Sequence, residues 1–276
     1  MLRARVITAV VLLALIAAAA AWSDAALRVL CAALVAMGMY EWIRLAGVGR
    51  SPAAVVAAAY GALLAALSSR DLHASQGATV GAALAASAAW CALGAVLVAA
   101  ERGRLRVAGG VSVLLATTLL SAGWIALDSL LQRGVQWLVS VLAVVWIADI
   151  AAYFSGRALG RHKLAPHISP GKTWEGVWGA LLIVTSAALA VHAAWPHARL
   201  WSNQVLSELA WPLAFCCLWA VVALSIVGDL FESLLKRQAQ VKDSGWILPG
   251  HGGVLDRIDA TLPTLPAAVL IDWWTR

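Results

Sequence analysis

Residues 135–155 read VQWLVSVLAVVWIADIAAYFS, and Asp149 is the only charged side chain in this stretch. About 20 apolar residues in a helix cross the hydrocarbon core of a bilayer, so the stretch predicts a transmembrane helix. Similar runs fill most of the chain, since 62% of its 276 residues are hydrophobic, 12% are charged and the mean hydropathy is +0.85. A soluble core does not absorb this much apolar surface, so the composition excludes most classes of soluble protein.

The apolar runs predict an all-α, polytopic integral membrane protein with about nine transmembrane helices. We place these helices near residues 6–22, 25–43, 52–69, 76–100, 108–127, 135–155, 175–195, 209–230 and 261–274. The last run is the weakest, because it is short and contains Pro263 and Pro266.

The basic residues predict the orientation of these helices. With the N-terminus in the cytoplasm, 15 of the 20 Lys and Arg residues fall on the cytoplasmic side, as membrane proteins prefer. We therefore expect a protein of a bacterial-type cytoplasmic (inner) membrane. The net charge of +6 comes from basic residues that are scattered singly, so it does not indicate a nucleic-acid-binding surface.

Polar side chains are distributed unevenly along the chain. The acids of the first 145 residues stand near predicted span ends, where we expect them to be solvated; they are Asp24, Glu41, Asp71, Glu101 and Asp128. We therefore interpret residues 1–134 as a membrane scaffold and residues 135–276 as the catalytic membrane region. The chemistry is expected in two segments, 149–176 and 229–259, which both fall on the predicted cytoplasmic side.

The later segment begins with an acid, a hydroxyl and two cations on one helical face. Asp229, Ser233 and Lys236 follow helical spacing, with Glu232 on the same face and Arg237 one turn after Ser233. A carboxylate at the end of a long apolar run is costly unless it faces a polar cavity, a metal or a cation. The simpler alternative is an Asp/Lys pair that closes an ordinary helix.

A glycine-rich stretch, PGHGG at residues 249–253, follows this helix. Glycines let backbone N–H groups approach a ligand closely, so the stretch is typical of an anion-binding loop around His251. Asp256 and Asp259 come next, at a spacing that puts them on one helical face, with Arg257 between them. Magnesium takes one or two carboxylates and fills its other positions with water and phosphate oxygens, so the aspartates are candidate ligands.

The earlier segment combines an intramembrane acid with a basic loop. Asp149 lies inside an apolar run and is a functional candidate by default. The loop after it carries Arg157, Lys163 and Lys172, which suit phosphates or anionic headgroups, although the orientation preference alone also accounts for them. Residues 169–173 are expected to form a tight turn whose Ser and Thr cap the next helix. A P-loop is excluded, because Pro166 stands where its first glycine should be and no strand is expected before it.

These two segments resemble the CDP-diacylglycerol synthases, also called phosphatidate cytidylyltransferases. The family pattern S-x-x-K-R, four residues, K-D, then H-G-G-x-x-D-R-x-D is matched with every spacing kept. The matching residues are Ser233, Lys236, Arg237, Lys242, Asp243, His251, Gly252, Gly253, Asp256, Arg257 and Asp259. The upstream family pattern is matched by Asp149, Ala152, Tyr153, Gly156, Arg157, Gly160, His162, Lys163, Ser169, Pro170, Lys172, Thr173, Trp174 and Gly176. The chain departs from the family at Ile150 and Ala260, where a Ser or Thr and a Ser are common.

The resemblance implies a nucleotidyltransferase that transfers CMP from CTP to phosphatidate, giving CDP-diacylglycerol and pyrophosphate in phospholipid biosynthesis. It implies Mg²⁺, with a second cation as an open alternative. The expected metal ligands are Asp229, Asp256 and Asp259, with Asp149 nearby; the other expected catalytic residues are Ser233, Lys236 and Arg237. The expected substrate-binding residues are Arg157, Lys163, Lys172, Lys242, His251, Gly252, Gly253 and Arg257. CTP, phosphatidate and membrane lipid are the expected partners, and a homodimer stays open.

Other functions weighed against this one are a polytopic transporter and a related CTP-dependent membrane lipid kinase. A transporter predicts charges near span midpoints and in matched halves, which this chain does not have. A phosphoalcohol transferase needs a D-G-x-x-A-R run, which is absent from the sequence. An inactive relative is disfavoured because all acids and bases of the family pattern are present.

Overall fold

The computed structural model describes residues 2–69, 73–101, 106–248, 250 and 252–276. This part of the chain forms eleven helices and one short β-hairpin. The helices are α1 (Leu2–Trp22), α2 (Asp24–Leu45), α3 (Arg50–Ser69), α4 (Gln76–Glu101), α5 (Gly109–Gln132), α6 (Val135–Leu159), α7 (Trp174–Ala194), α8 (Trp201–Glu208), α9 (Trp211–Gln238), α10 (Leu255–Ile258) and α11 (Thr261–Trp274). The hairpin strands, β1 (Lys163–Ala165) and β2 (Ser169–Thr173), lie between α6 and α7.

Seven of the described helices, α2 to α7 and α9, are long and apolar enough to cross a membrane. The prediction of an all-α polytopic membrane protein is therefore confirmed. The apolar part of α1, Val10–Trp22, is shorter. Helix α11 has 14 residues and so measures about 21 Å, against about 30 Å for the hydrocarbon core. The count of nine spans stays a prediction.

Helix α11 lies in the interior of the bundle and packs against α4, α5 and α9. Its bounds agree with the predicted run, 261–274, and nearly all residues from Leu262 to Val269 are buried. Pro263 falls in the first turn, where no intrahelical N–H bond is lost, and Pro266 lies inside the helix. The two prolines therefore did not break the segment, because packing on three sides holds it.

The hairpin and α8 were not predicted from the sequence. Strand β1 pairs antiparallel with β2, so the tight turn that we predicted at residues 169–173 is wrong. Thr173 does cap α7, since its Oγ1 accepts a hydrogen bond from Gly176 N at 3.2 Å, whereas Ser169 lies in β2 and caps nothing. A strand does precede the Gly-Lys-Thr sequence, but it folds back on that sequence as a hairpin, unlike a P-loop.

The prediction that the acids of the N-terminal half are solvated is wrong for two of them. Glu41 is 1% exposed, and Asp128 is buried in an ion pair with Arg28 (3.3 Å) and a hydrogen bond with His73 (2.8 Å). Glu101 accepts hydrogen bonds from the backbone of His167 and Ile168. Asp24 is exposed as expected, and Asp71 lies outside the described residues. Each of the three bonded acids stabilises a contact between segments that are distant in sequence.

Candidate active site

The end of α9 carries the first group of site residues. The transmembrane run was predicted at 209–230, and α9 continues beyond it to Gln238. As their spacing predicted, Asp229, Ser233 and Lys236 project from successive turns of one helix. Ser233 Oγ donates to Asp229 Oδ1 at 3.4 Å. Lys236 is in ion-pair contact with Glu232, one turn before it, and Glu232 is 3% exposed.

The hairpin brings a lysine to this face of α9. Lys172, on β2, places its Nζ 2.7 Å from Asp229 Oδ2. Arg237 reaches the other end of the hairpin, where its Nε donates to the Ile168 carbonyl at 3.3 Å. The two sequence segments predicted to carry the chemistry therefore meet in space.

Asp256 joins α9 to the glycine-rich loop. Its Oδ1 lies 2.6 Å from Lys236 Nζ. Its Oδ2 accepts hydrogen bonds from Ser244 N (2.9 Å), Ser244 Oγ (2.9 Å) and Gly253 N (2.8 Å). Burial opposes ionisation, but the hydrogen bonds from Lys236 and Gly253 outweigh it and lower the pKa of Asp256 to about 2. Asp256 is therefore a carboxylate at neutral pH.

The loop PGHGG is shaped by a single backbone bridge. Leu248 N donates to Gly252 O at 3.0 Å, and Gly252 has φ +81°, a conformation that favours glycine. A Cβ at Gly252 would also lie 2.8 Å from Asp256 Oδ2. The Gly253 amide is used inside the protein, on Asp256. His251 lies outside the described residues.

Asp259 approaches Asp229 because α9 has a glycine at the contact. A Cβ on Gly228 would lie 2.2 Å from the Asp259 carbonyl oxygen, so only glycine allows the two backbones to come this close. Burial, together with the negative charge of Asp229, raises the pKa of Asp259. The pair therefore forms a site that favours an added cation.

A cavity of about 780 Å³ lies between α6, the hairpin, α7, α9 and α10. Eight of the predicted site residues line it, namely Asp149, Arg157, Lys172, Asp229, Lys236, Asp256, Arg257 and Asp259. Small and apolar side chains line another part of the wall, including Ala148, Ala152, Val177, Ala180, Val222 and Ile226. The cavity therefore joins a charged region to an apolar one.

The other predicted site residues that the structure describes lie around the cavity without lining it. Ser233 contacts Asp229 as described above, Lys163 donates to the Pro170 carbonyl at 2.8 Å, and Lys242 is exposed. Gly252 and Gly253 support Asp256 from the loop.

Several residues that line the cavity were missing from the predicted site, among them Asp243 and Tyr153, and so was one supporting residue. Asp243 and Tyr153 line the cavity, and the Tyr153 hydroxyl accepts a hydrogen bond from Arg157 at 3.0 Å. Both stand inside the matched family pattern, and Tyr153 lies one helical turn after Asp149, so the sequence contained a signal for them. Glu41 binds the loop before α10 from outside the cavity, and its position in the sequence gave no sign of this.

The donor set fits a magnesium ion, although among the described residues no three or more His, Cys, Asp or Glu side chains are grouped so that they could hold a metal. Magnesium needs only one or two protein carboxylates, with water and substrate phosphate in its remaining positions. Asp229 and Asp259 supply such a pair, and burial together with the negative charge of Asp229 raises the pKa of Asp259, an effect that a bound cation would oppose. Asp149 lines the same cavity. Asp256 is held by Lys236 and by several donors of the loop, whereas Asp229 would have to give up only its contact with Lys172 in order to bind metal.

Sequence comparisons relate the whole chain to known proteins. The sequence pattern that defines the cytidylyltransferase family matches residues 3–273. A phosphatidate cytidylyltransferase of Pseudomonas aeruginosa is 40% identical over 278 residues, which cover 99% of this chain and 97% of that protein. The protein of the same name from Haemophilus influenzae is 47% identical over 135 residues, 49% of this chain and 44% of that protein. The one from Brucella suis is 40% identical over 191 residues, 62% of this chain and 67% of that protein.

Proposed function

The chain belongs to the cytidylyltransferase family, and we propose that its cavity transfers CMP from CTP to phosphatidate, giving CDP-diacylglycerol and pyrophosphate. The observation that carries this function is the composition of the cavity wall. Acids and bases from both sequence segments line one region, and apolar side chains from three membrane helices line the adjoining region. Such a wall suits a substrate with a phosphate head and hydrocarbon tails next to a triphosphate.

The chemistry needs positioning and neutralisation of charge rather than a strong base. A phosphate oxygen of phosphatidate attacks the α-phosphorus of CTP in line. A new phosphorus–oxygen bond forms, the bond to the oxygen that bridges the α- and β-phosphates breaks, and pyrophosphate leaves. The attacking phosphate is already ionised near neutral pH, so no general base is required.

We propose that Asp229 and Asp259 hold Mg²⁺, with Asp149 as a further ligand or orienting group. Bound magnesium would neutralise the triphosphate oxygens and the charge that develops on the leaving pyrophosphate. Asp256, also predicted as a ligand, would have to exchange its bonds with Lys236 and the loop in order to bind metal. In the arrangement described here it orients Lys236. A second cation is an open part of this proposal.

The cations that line the cavity are proposed to bind phosphate oxygens. Lys172 and Lys236 are each held by carboxylates, so they are oriented before a substrate arrives. Arg157 and Arg257 add guanidinium groups, which bind phosphate with two parallel hydrogen bonds. These four residues surround the region where the triphosphate and the phosphate of phosphatidate would meet.

The remaining predicted residues are proposed to act from outside the cavity wall. Ser233 orients Asp229, and Arg237 fixes the hairpin that carries Lys172. Lys163 and Lys242 are exposed and would attract anionic CTP to the entrance. Gly252 and Gly253 support Asp256 from the loop, and His251 is proposed to bind a substrate phosphate.

We further propose the membrane arrangement that this reaction requires. The nine-span, N-in topology puts both site segments on the cytoplasmic side of a bacterial inner membrane, where CTP is present. The apolar part of the cavity is proposed to take the acyl chains of phosphatidate. A homodimer is compatible with this arrangement and is tested by measuring the mass of the detergent-solubilised protein.

The activity is tested with the purified protein in detergent micelles that contain phosphatidate. With CTP and Mg²⁺, we expect stoichiometric release of pyrophosphate and formation of CDP-diacylglycerol. Omission of phosphatidate should abolish both, which separates transfer from hydrolysis of CTP. Absence of product, with the Pseudomonas aeruginosa relative active in the same assay, would refute the proposal.

A further inference from the structure

Glu41 is a buried carboxylate that the proposed reaction does not use directly. It lies near the cytoplasmic end of α2, in the region that the sequence identified as scaffold, and it is 1% exposed. It does not line the cavity. A carboxylate at such a position is costly unless several hydrogen bonds hold it, so its partners indicate why it is there.

Three neutral donors from the loop before α10 bind Glu41. Oε1 accepts from Val254 N at 3.1 Å, and Oε2 accepts from Leu255 N at 2.7 Å and from Ser244 Oγ at 3.0 Å. One side chain thus holds both ends of the loop at residues 244 and 254–255. Between Ala239 and Val254 the described residues form no helix, and Leu248–Gly252 is the one bridge among them, so the loop has little other regular structure.

Two glycines make room for this carboxylate. A Cβ on Gly245 would lie 2.2 Å from Glu41 Oε1, and a Cβ on Gly253 would lie 2.4 Å from Oε2. Neither glycine has a positive φ, so the requirement is for space and not for an unusual backbone conformation. The loop therefore fits around Glu41 closely.

The anchored loop leads directly to the cavity. Ser244 contacts Glu41 through its hydroxyl and donates to Asp256 through its backbone N–H, and Gly253 N donates to the same Asp256 oxygen. Asp256 in turn holds Lys236 at 2.6 Å. A displacement of the loop would therefore move Asp256 and release Lys236.

We infer that Glu41 is a positioning residue for cytidylyl transfer. It fixes the 244–255 loop so that Asp256 and Lys236 keep their places at the cavity. The inference rests on the proposed function. By this inference α2 takes part in the geometry of the site, although it lies outside the segments that match the family pattern most sharply.

Glu41→Gln tests the inference with little change in shape, because it replaces one acceptor oxygen by an amide nitrogen. Loss of an acceptor from a buried pair of N–H groups should lower kcat by at least about 10-fold. The KM values for CTP and phosphatidate should stay within about 3-fold, since no cavity residue is changed. Asp24→Asn, which removes an exposed carboxylate from the same helix, is the matched control and should behave as the wild type. A smaller fall in kcat, or an effect confined to KM, would overturn the inference.

Gly245→Ala provides an independent test that depends on Glu41 itself. The three atoms that the added methyl group would meet all belong to Glu41. We therefore expect Gly245→Ala to lower kcat by at least about 10-fold in the wild type and to cause less than about 2-fold further loss in Glu41→Ala. Equal losses in both backgrounds would overturn the inference. If Glu41→Ala does not fold, the kcat of Glu41→Gln and its hydrogen exchange decide the inference.

Hydrogen exchange separates failure of the inference from failure of the proposed function. In Glu41→Gln, the amides of residues 253–256 should exchange at least about 10-fold faster, while α4 and α6 keep wild-type rates. Unchanged exchange in this segment would show that Glu41 does not fix the loop. If the wild type released no pyrophosphate from CTP, the proposed function would fail, but the exchange measurement would still decide whether Glu41 is the anchor.

Discussion

The ammonium group of Lys172 lies 2.7 Å from a carboxylate oxygen of Asp229, which joins the hairpin before α7 to the end of α9. The Lys172 and Asp229 side chains are 23% and 35% exposed, so both remain accessible from the cavity. In the proposed reaction, a triphosphate would compete for the lysine and a magnesium ion would compete for the aspartate. The contact thus holds an ammonium group, which attracts phosphate, next to a carboxylate, which attracts a cation, before the substrates bind.

Replacement of Lys172 by Met should lower kcat/KM at least about 100-fold, the usual effect of losing one charged donor to a transition state. The ion pair is partly exposed, so the free energy of unfolding should change by no more than about 1 kcal/mol. Pyrophosphate release and thermal unfolding in detergent measure the two effects. Arg199→Met removes an exposed positive charge from the loop between α7 and α8 and should leave both unchanged. An active Lys172→Met enzyme would remove this residue from the site.

The proposed metal ligands predict a specific change in magnesium dependence. Asp259→Asn should raise the Mg²⁺ concentration for half-maximal activity at least about 10-fold, because one of two proposed carboxylate ligands loses its charge. EDTA should abolish the activity of the wild type, and Mg²⁺ should restore it. Titration of Mn²⁺ by electron paramagnetic resonance measures the same loss of affinity without turnover. Asp24→Asn is the control, and an unchanged magnesium requirement in Asp259→Asn would exclude this residue as a ligand.

Much of the fold and of the cavity wall was predictable from the sequence, because the signals are local. Long apolar runs predicted the membrane helices, and the spacing of Asp229, Ser233 and Lys236 placed them on one face of a helix. The two segments of polar residues, 149–176 and 229–259, do form one cavity. The first two predictions depend on residues within a few turns of one another, and the third depends on the alternation of the predicted spans, which puts both segments on one side.

The missed features depend on contacts between residues that are distant in sequence. Glu41 stands at the end of an apolar run, like any solvated acid, and only its bonds to Val254 and Leu255 reveal that it is buried. The hairpin strands have three and five residues, too few for an alternating pattern to be recognised.

The orientation of the membrane helices predicts which positions reagents can reach from outside the cell. In a variant whose four cysteines are replaced by alanine, Lys242→Cys should be protected from a membrane-impermeant thiol reagent and should react after the cells are opened. His197→Cys, in the loop between α7 and α8, should react in intact cells. Lys242 and His197 are both exposed, so the difference reports the side of the membrane and not burial. Labelling of Lys242→Cys from outside would overturn the N-in topology.

Disruption of the buried ion pair between Arg28 and Asp128 should lower the stability of the protein without affecting catalysis. Asp128 also binds His73 at 2.8 Å and Gln132 at 3.0 Å, and the pair lies away from the cavity. Asp128→Asn removes a negative charge that faces the buried Arg28, which should lower the free energy of unfolding by about 1–3 kcal/mol. Well below the unfolding transition, kcat should stay within about 3-fold of the wild type. Glu208→Gln, at an exposed position of α8, should change neither the stability nor kcat. If Asp128→Asn unfolded at the same temperature as the wild type, the pair would contribute no net stability.

The close approach of α9 to Asp259 predicts that a single methyl group at residue 228 disturbs the site. A Cβ on Gly228 would lie 2.2 Å from the Asp259 carbonyl oxygen and 2.8 Å from Pro263 Cγ. Because backbone lies on one side and a proline ring on the other, the added methyl group has no room. Gly228→Ala should therefore push the turn between α10 and α11 away from α9. Overpacking of this kind costs about 1–3 kcal/mol of stability, and the displacement of Asp259 from Asp229 should lower kcat at least about 10-fold. Gly81→Ala is the matched control, because Gly81 lies within α4 with no atom within 4 Å of the added Cβ. This variant should keep wild-type activity. Its free energy of unfolding should rise by up to about 1 kcal/mol, because alanine has a higher helix propensity than glycine. If Gly228→Ala retained wild-type kcat and magnesium dependence, the spacing between Asp229 and Asp259 would not matter for catalysis, and the proposed two-carboxylate magnesium site would have to be abandoned.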